Sequence, residues 1–163
     1  MFDKFGEMGS YTELNELAQN LANEEDYESL REMAKENGIP EDLTEMYING
    51  AVPELCDALT AAIGKLDVEC EKLKPKEIME DWVEYIRTQC LESDILARQV
   101  RKQGKCLEGC IAELLKWSFA NQIPVDKKIM KAAGVTANRC TLGIPGMRTA
   151  KSLILKYYME KQK

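Results

Sequence analysis

The chain has 163 residues, 45% of them apolar and 31% charged, and contains no histidine. Its net charge of −6 is unevenly placed, because residues 1–73 hold 18 acids and 5 bases whereas residues 74–163 hold 10 acids and 17 bases. Two large cores do not fit this length, and without histidine there is no Ser/His or Cys/His nucleophile pair and no histidine-containing zinc site.

Helix signals recur along the chain and strand signals do not. Ser10 or Thr12 caps a first helix whose apolar residues Leu14, Leu17, Ala18 and Leu21 repeat at helical spacing to about Asn23. Asp26 caps a second, with Tyr27, Leu30, Met33 and Ala34 on one face and Asn37-Gly38 as its stop. A short third helix starts at Ile39-Pro40-Glu41-Asp42, runs through Leu43, Met46 and Tyr47, and ends at Asn49-Gly50. Pro53 opens a fourth through Leu55, Leu59, Ala62, Ile63 and Leu66 toward Leu73, where Gly64 costs about 1 kcal/mol against alanine.

Pro75 marks both the charge boundary and the next helix start, with Ile78, Trp82, Tyr85, Ile86 and Gln89 on one face. Ser93 caps a helix whose buried stripe is Leu96, Ala97 and Val100 and whose exposed side carries Arg98, Arg101, Lys102 and Lys105, with Gly104 interrupting it. Leu107, Ile111, Leu114, Leu115, Ser118 and Phe119 form the longest apolar stripe and predict the central helix of the basic half. Asp126 caps Lys127 to Ala133 before Gly134, and after the Gly143-Ile144-Pro145-Gly146 loop a last helix runs from about Met147 to Glu160. There is no internal repeat. The expected fold is all-α: a bundle of about eight or nine helices, with acidic helices over 1–73 followed by a basic core over 74–163.

The six cysteines, at 56, 70, 90, 106, 110 and 140, fall within helical patterns, so reduced thiols are expected, with Cys90 and Cys110 buried between helices. Cys106 and Cys110 lie one turn apart, but no second pair completes a four-ligand zinc site. The acidic clusters Glu24, Glu25, Asp26, Glu28 and Glu41, Asp42, Glu45 lack calcium-loop spacing. They suit a solvated face, helix N-terminal charge or a partner-binding surface. No metal or cofactor is expected.

Three stretches suggest nucleic-acid chemistry. Residues 129–136 look like the first helix and turn of a helix-turn-helix, but a recognition helix from Thr136 would meet Gly143 and Pro145 after about two turns, and an ordinary helix-loop joint is the simpler reading. The Gly143–Gly146 loop, before a helix bearing Arg148 and Lys151, suits a phosphate but lacks P-loop spacing, and a structural turn is the simpler reading. Arg98, Arg101, Lys102 and Lys105 stack along one side of a helix and form the stronger nucleic-acid candidate. No apolar run approaches the roughly 18 residues of a membrane span. Met1 leads into Asp3, Lys4 and Glu7 rather than an apolar signal stretch, so a cytoplasmic protein is expected.

The string Trp82-x-x-Tyr85-Ile86-x-x-x-Cys90, then Ala97, Gly104-Lys105-x-Leu107-x-Gly109-Cys110-Ile111 and finally Tyr157-Tyr158-Met159-Glu160 resembles the PcfK-like proteins of conjugative and other mobile elements. From its Met-Phe-Asp-Lys-Phe-Gly start onward the chain looks like the branch of that family identified as type II-A anti-CRISPR proteins. The resemblance implies a non-enzymatic inhibitor that binds the RNA-guided DNA nuclease of type II CRISPR systems, and it designates no inhibitory residue. A strongly acidic surface suits the positively charged channels of such a nuclease. The basic half would then contact guide RNA or bound DNA. The alternative is a DNA- or RNA-binding accessory protein of conjugative transfer.

Overall fold

The structure is a computed structural model that describes residues 4–160. Met1, Phe2 and Asp3, which open the string carrying the resemblance, lie outside the described residues. Nine helices are present among the described residues and cover 66% of those residues, so the fold is all-α as expected. They are α1 (Tyr11–Asn23), α2 (Tyr27–Glu36), α3 (Glu41–Ile48), α4 (Ala58–Leu73), α5 (Ile78–Glu92), α6 (Asp94–Arg101), α7 (Leu107–Ala120), α8 (Lys127–Ala132) and α9 (Met147–Met159). A two-stranded antiparallel ribbon, which the strand signals do not foretell, pairs β1 (Ile123–Pro124) with β2 (Thr141–Leu142) on either side of α8. No described helix is long and apolar enough to cross a membrane.

Cap chemistry sets most helix starts. Ser10, Asp26, Ser93 and Asp126 each accept a backbone N–H of the first turn with the side chain, at 3.1, 3.0, 3.3 and 2.7 Å. Two expected starts move. The fourth helix opens at Asp57, whose carboxylate accepts Thr60 N–H at 2.7 Å, and not at Pro53. The reason lies upstream in space: the Asn15 amide donates to the Cys56 carbonyl (2.8 Å) and accepts its N–H (3.1 Å), fixing Cys56 outside any helical ladder. The fifth helix opens at Ile78 rather than Pro75, because Lys74 caps α4 in the left-handed region and Glu77 also has a positive φ.

Two apolar clusters form the interior. One gathers Leu14, Ala18, Leu30, Met33, Ile39 and Leu55 from α1, α2 and the segments after α2 and α3. The other gathers Trp82, Ile86, Val100, Leu107, Leu114, Ile154 and Tyr158 from α5, α6, α7 and α9. Helix α4 belongs to both: Ala61 packs into the first, Ala58, Ala62 and Leu66 into the second. The change of charge at 73/74 therefore falls on a surface property and not on a gap in the core. Where α4 meets the end of α2, Gly64 and Gly38 approach so closely that a Cβ on Gly64 would lie 2.5 Å from the Gly38 carbonyl oxygen.

Helix α7 departs from expectation over its second half. Leu107, Cys110 and Leu114 are buried, but Leu115 and Phe119 are 54% and 76% exposed. The stripe has helical period throughout, yet α4 and α9 pack only on the face that carries Leu107 and Leu114. The described cysteines are all free thiols, and Cys90 and Cys110 are buried as expected. Burial pushes the Cys110 and Cys56 thiols up to about 12 and Cys90 up to about 11, which keeps them protonated and unreactive.

Candidate partner-binding surfaces

The acidic residues do not form one continuous surface. Glu24, Glu25, Asp26 and Glu28 crowd the α1–α2 corner, where Glu25 turns the chain through a positive φ of 58°. Glu41 and Asp42 occupy the first turn of α3. Arg31 of α2 forms an ion pair with Glu45 of α3, and α3 begins only a short loop after the end of α2. The two clusters thus lie at opposite ends of α2, about 15 Å apart for a ten-residue helix. Their members differ in role. The Asp26 carboxylate caps α2, and its hydrogen bonds with Ser29 hold it below the usual carboxylate range. Glu45 is neutralised by Arg31. Glu24, Glu25, Glu28, Glu41 and Asp42 are exposed and form no ion pair among the described residues. Three carboxylates at one corner with a short reach between them make the stronger cation-seeking surface.

The expected basic stripe is not a surface at all. Arg101 is 1% exposed and Lys105 is 5% exposed. Arg101 donates from Nε to the Met8 carbonyl (2.9 Å), from Nη1 to the carbonyls of Asn37 and Ala61 (3.2 Å each), and from Nη2 to the Asn37 side-chain oxygen. The guanidinium therefore ties the segment before α1, the end of α2 and the first turn of α4 to α6. Burial draws it down to about 10, so it remains charged at neutral pH. Lys105 donates to the carbonyls of Tyr157 and, at 2.8 Å, Glu160, closing the last turn of α9. Arg98 is half-exposed but engaged, pairing with Asp94 at 2.7 Å and lying 4.8 Å from the centre of the Tyr11 ring. Lys151 lies over Tyr85 at 5.0 Å. Of the expected nucleic-acid contacts, only Lys102 and Arg148 are exposed without an ion pair or a ring partner.

Two buried charges escaped the sequence reading. Lys65 of α4, 0% exposed, pairs with Glu7 and donates to the Lys102 carbonyl at 3.1 Å. Glu69, one turn on, accepts the Leu107 N–H at 2.8 Å and so caps the start of α7 across the core. Both stand among apolar neighbours, Lys65 between Gly64 and Leu66, and that placement is the signal a sequence offers. Burial raises the Glu69 carboxyl above its ordinary value, outweighing the Leu107 N–H and Lys65. A raised folded pKa means the folded state holds the proton more tightly, so this group favours folding below its unfolded pKa and loses that contribution as pH rises through the folded one. Wild-type protein should therefore gain stability relative to Glu69→Gln as pH falls from 7 toward 4.5. Denaturant titrations of both proteins across that range check it.

No helix-turn-helix is formed, and the segment is the ordinary helix-loop joint. Helix α8 is followed by Gly134 at positive φ and then by irregular chain to β2, with no second helix between 136 and 142. Gly134 ends the helix, and the hydrogen bond from Val125 N–H to the Cys140 carbonyl (2.9 Å) carries the ribbon on to the residues beside α8. The Gly143–Gly146 loop is a structural turn. Gly143 lies against the Ser118 carbonyl and the Gln122 side chain, where a Cβ would clash, and α9 begins at Met147 without a side-chain cap. Among the described residues no group of three or more Cys, Asp or Glu is arranged to hold a metal ion. Comparison with family models, with curated proteins and with solved structures finds no match for this chain.

Proposed function

We propose that the protein is a non-enzymatic inhibitor of the RNA-guided DNA nuclease of type II CRISPR systems. It acts in the cytoplasm by stoichiometric binding, with the acidic α1–α2 corner occupying a positively charged channel of the nuclease. One observation carries this reading: Glu24, Glu25 and Glu28 stand exposed without an ion pair at a single corner, while in the stripe from Arg98 to Lys105, which favoured the accessory-protein alternative, Arg101 and Lys105 are buried and hold the fold together. The resemblance to the PcfK-like anti-CRISPR branch supplies the identity of the partner. Attraction between the corner and a basic channel is electrostatic, so binding weakens as added salt shortens the Debye length.

The test is a DNA-cleavage assay with guide-loaded type II nuclease. Reversing Glu24, Glu25 and Glu28 to Lys is expected to raise the inhibitory concentration about tenfold or more, since charge reversal turns attraction into repulsion. Asp26 is left in place because its loss would remove the α2 cap and confuse binding with folding. Circular dichroism should show unchanged helix content. Full inhibition by that folded variant, or no inhibition by the wild-type protein in molar excess, would overturn the proposal.

A further inference from the structure

Between Lys127 and Met159 the chain holds seven bases and no acid. Four of them, Lys127, Lys128, Lys131 and Arg139, belong to the finger Val125–Cys140, which leaves and re-enters the molecule through the β1–β2 ribbon. Apart from Val125, Met130 and Cys140, every residue of the finger is exposed. Its one acid, Asp126, has its carboxylate engaged by the Lys128 backbone N–H. The four basic side chains make no ion pair, hydrogen bond or ring contact among the described residues. Elsewhere Arg31, Lys65, Arg87, Arg98, Arg101 and Lys105 are all engaged by partners within the fold. The finger's charges therefore do nothing for the helical body, and their mutual repulsion is a cost unless an outside anion offsets it.

The geometry points to a finger that binds the phosphate backbone of nucleic acid, independently of sequence. Positive charge lies on both limbs, three lysines on α8 and Arg139 on the irregular chain returning to β2, which suits an extended polyanion better than a single carboxylate. Lys127 and Lys131, one helical turn apart, border a hollow of about 410 Å³ also lined by Gly134, Thr136 and Asn138. Ammonium groups with a hydroxyl and an amide, and no carboxylate among them, are the donor set that positions phosphate oxygens. Base readout is excluded on geometric grounds: α8 has six residues and no recognition helix follows it.

The experiment is fluorescence anisotropy of full-length protein with short labelled DNA of random sequence, single-stranded and duplex, and no nuclease present. Its outcome is thus independent of the inhibitor proposal. With about four phosphates neutralised, affinity should fall about 100-fold between about 50 and about 200 mM salt. The combined variant Lys127→Ala, Lys128→Ala, Lys131→Ala and Arg139→Ala should lose binding at least tenfold with unchanged circular dichroism, whereas Lys102→Ala should not. Absence of binding at low salt, retention of binding by the combined variant, strong preference for one sequence, or binding to phosphatidylserine vesicles without binding to DNA would each overturn the inference.

Discussion

Replacing Arg101 with alanine is expected to cost about 3–5 kcal/mol of stability, a large share of the roughly 5–15 kcal/mol of an ordinary domain. Two effects add. Removing the guanidinium takes a donor away from the carbonyls of Met8, Asn37 and Ala61 and from the Asn37 side-chain oxygen, which keeps only the long bond from Met8 N–H at 3.4 Å. Each buried acceptor left unmatched costs about 1–3 kcal/mol where water cannot reach it. The deleted side chain, 1% exposed, also leaves a cavity. Arg98→Ala, three residues earlier, is the control: its pair with Asp94 is solvent-exposed, and exposed pairs contribute about 0–1 kcal/mol. Urea melts of the two variants check the contrast. Near-equal losses would contradict the assignment of Arg101 as a buried cross-link.

Gly64→Ala carries the second large effect, and its sign is the informative part. In an exposed helix interior this change stabilises by about 1 kcal/mol through helix propensity. Here the new Cβ would lie 2.5 Å from the Gly38 carbonyl oxygen and 2.9 Å from that of Asn37, both backbone atoms that no rotamer change can move. Gly38 itself holds a φ of 73°, so the turn after α2 has no easy route to retreat. A destabilisation of about 3 kcal/mol is expected, at the upper end of overpacking costs. Thermal denaturation decides it: an unchanged or raised Tm would show that α2 and α4 are not in backbone contact.

Local chemistry was legible in the sequence, and neighbours in space were not. Ser10, Asp26, Ser93 and Asp126 cap the helices they were expected to cap, and Asn37-Gly38 and Asn49-Gly50 stop theirs, because these signals act within one turn of chain. Pro53 misled because its consequence was overridden by Asn15, 41 residues from its partner Cys56. For α6, the spacing of Leu96, Ala97 and Val100 located the buried face correctly, yet Arg101 lies one turn after Ala97 on that same face. Position said buried while charge said exposed, and charge was given the greater weight. Phe119 shows the reverse error, since an apolar residue in register with Leu115 stays exposed where no helix packs on it. The acid-free run from Lys127 is visible in the sequence, but the acids between residues 74 and 126 mask it in the net charge of the basic half.

The bond from Arg101 to the Met8 carbonyl joins residues 93 positions apart, and Lys65 reaches Lys102 from 37 positions away. Such distant closures slow folding, because chain entropy is lost before the contact rewards it. They also set an order during synthesis. Helices α1 to α4 emerge from the ribosome first, yet the groups that complete their interior arrive only with α6, about 1–6 seconds later at about 5–20 residues per second. Through that interval the nascent acidic half holds Lys65 and the Asn37 and Met8 acceptors without their later partners. Its early translation product is a chain waiting for its keystone, exposed to chaperones and proteases until residue 101 has left the exit tunnel.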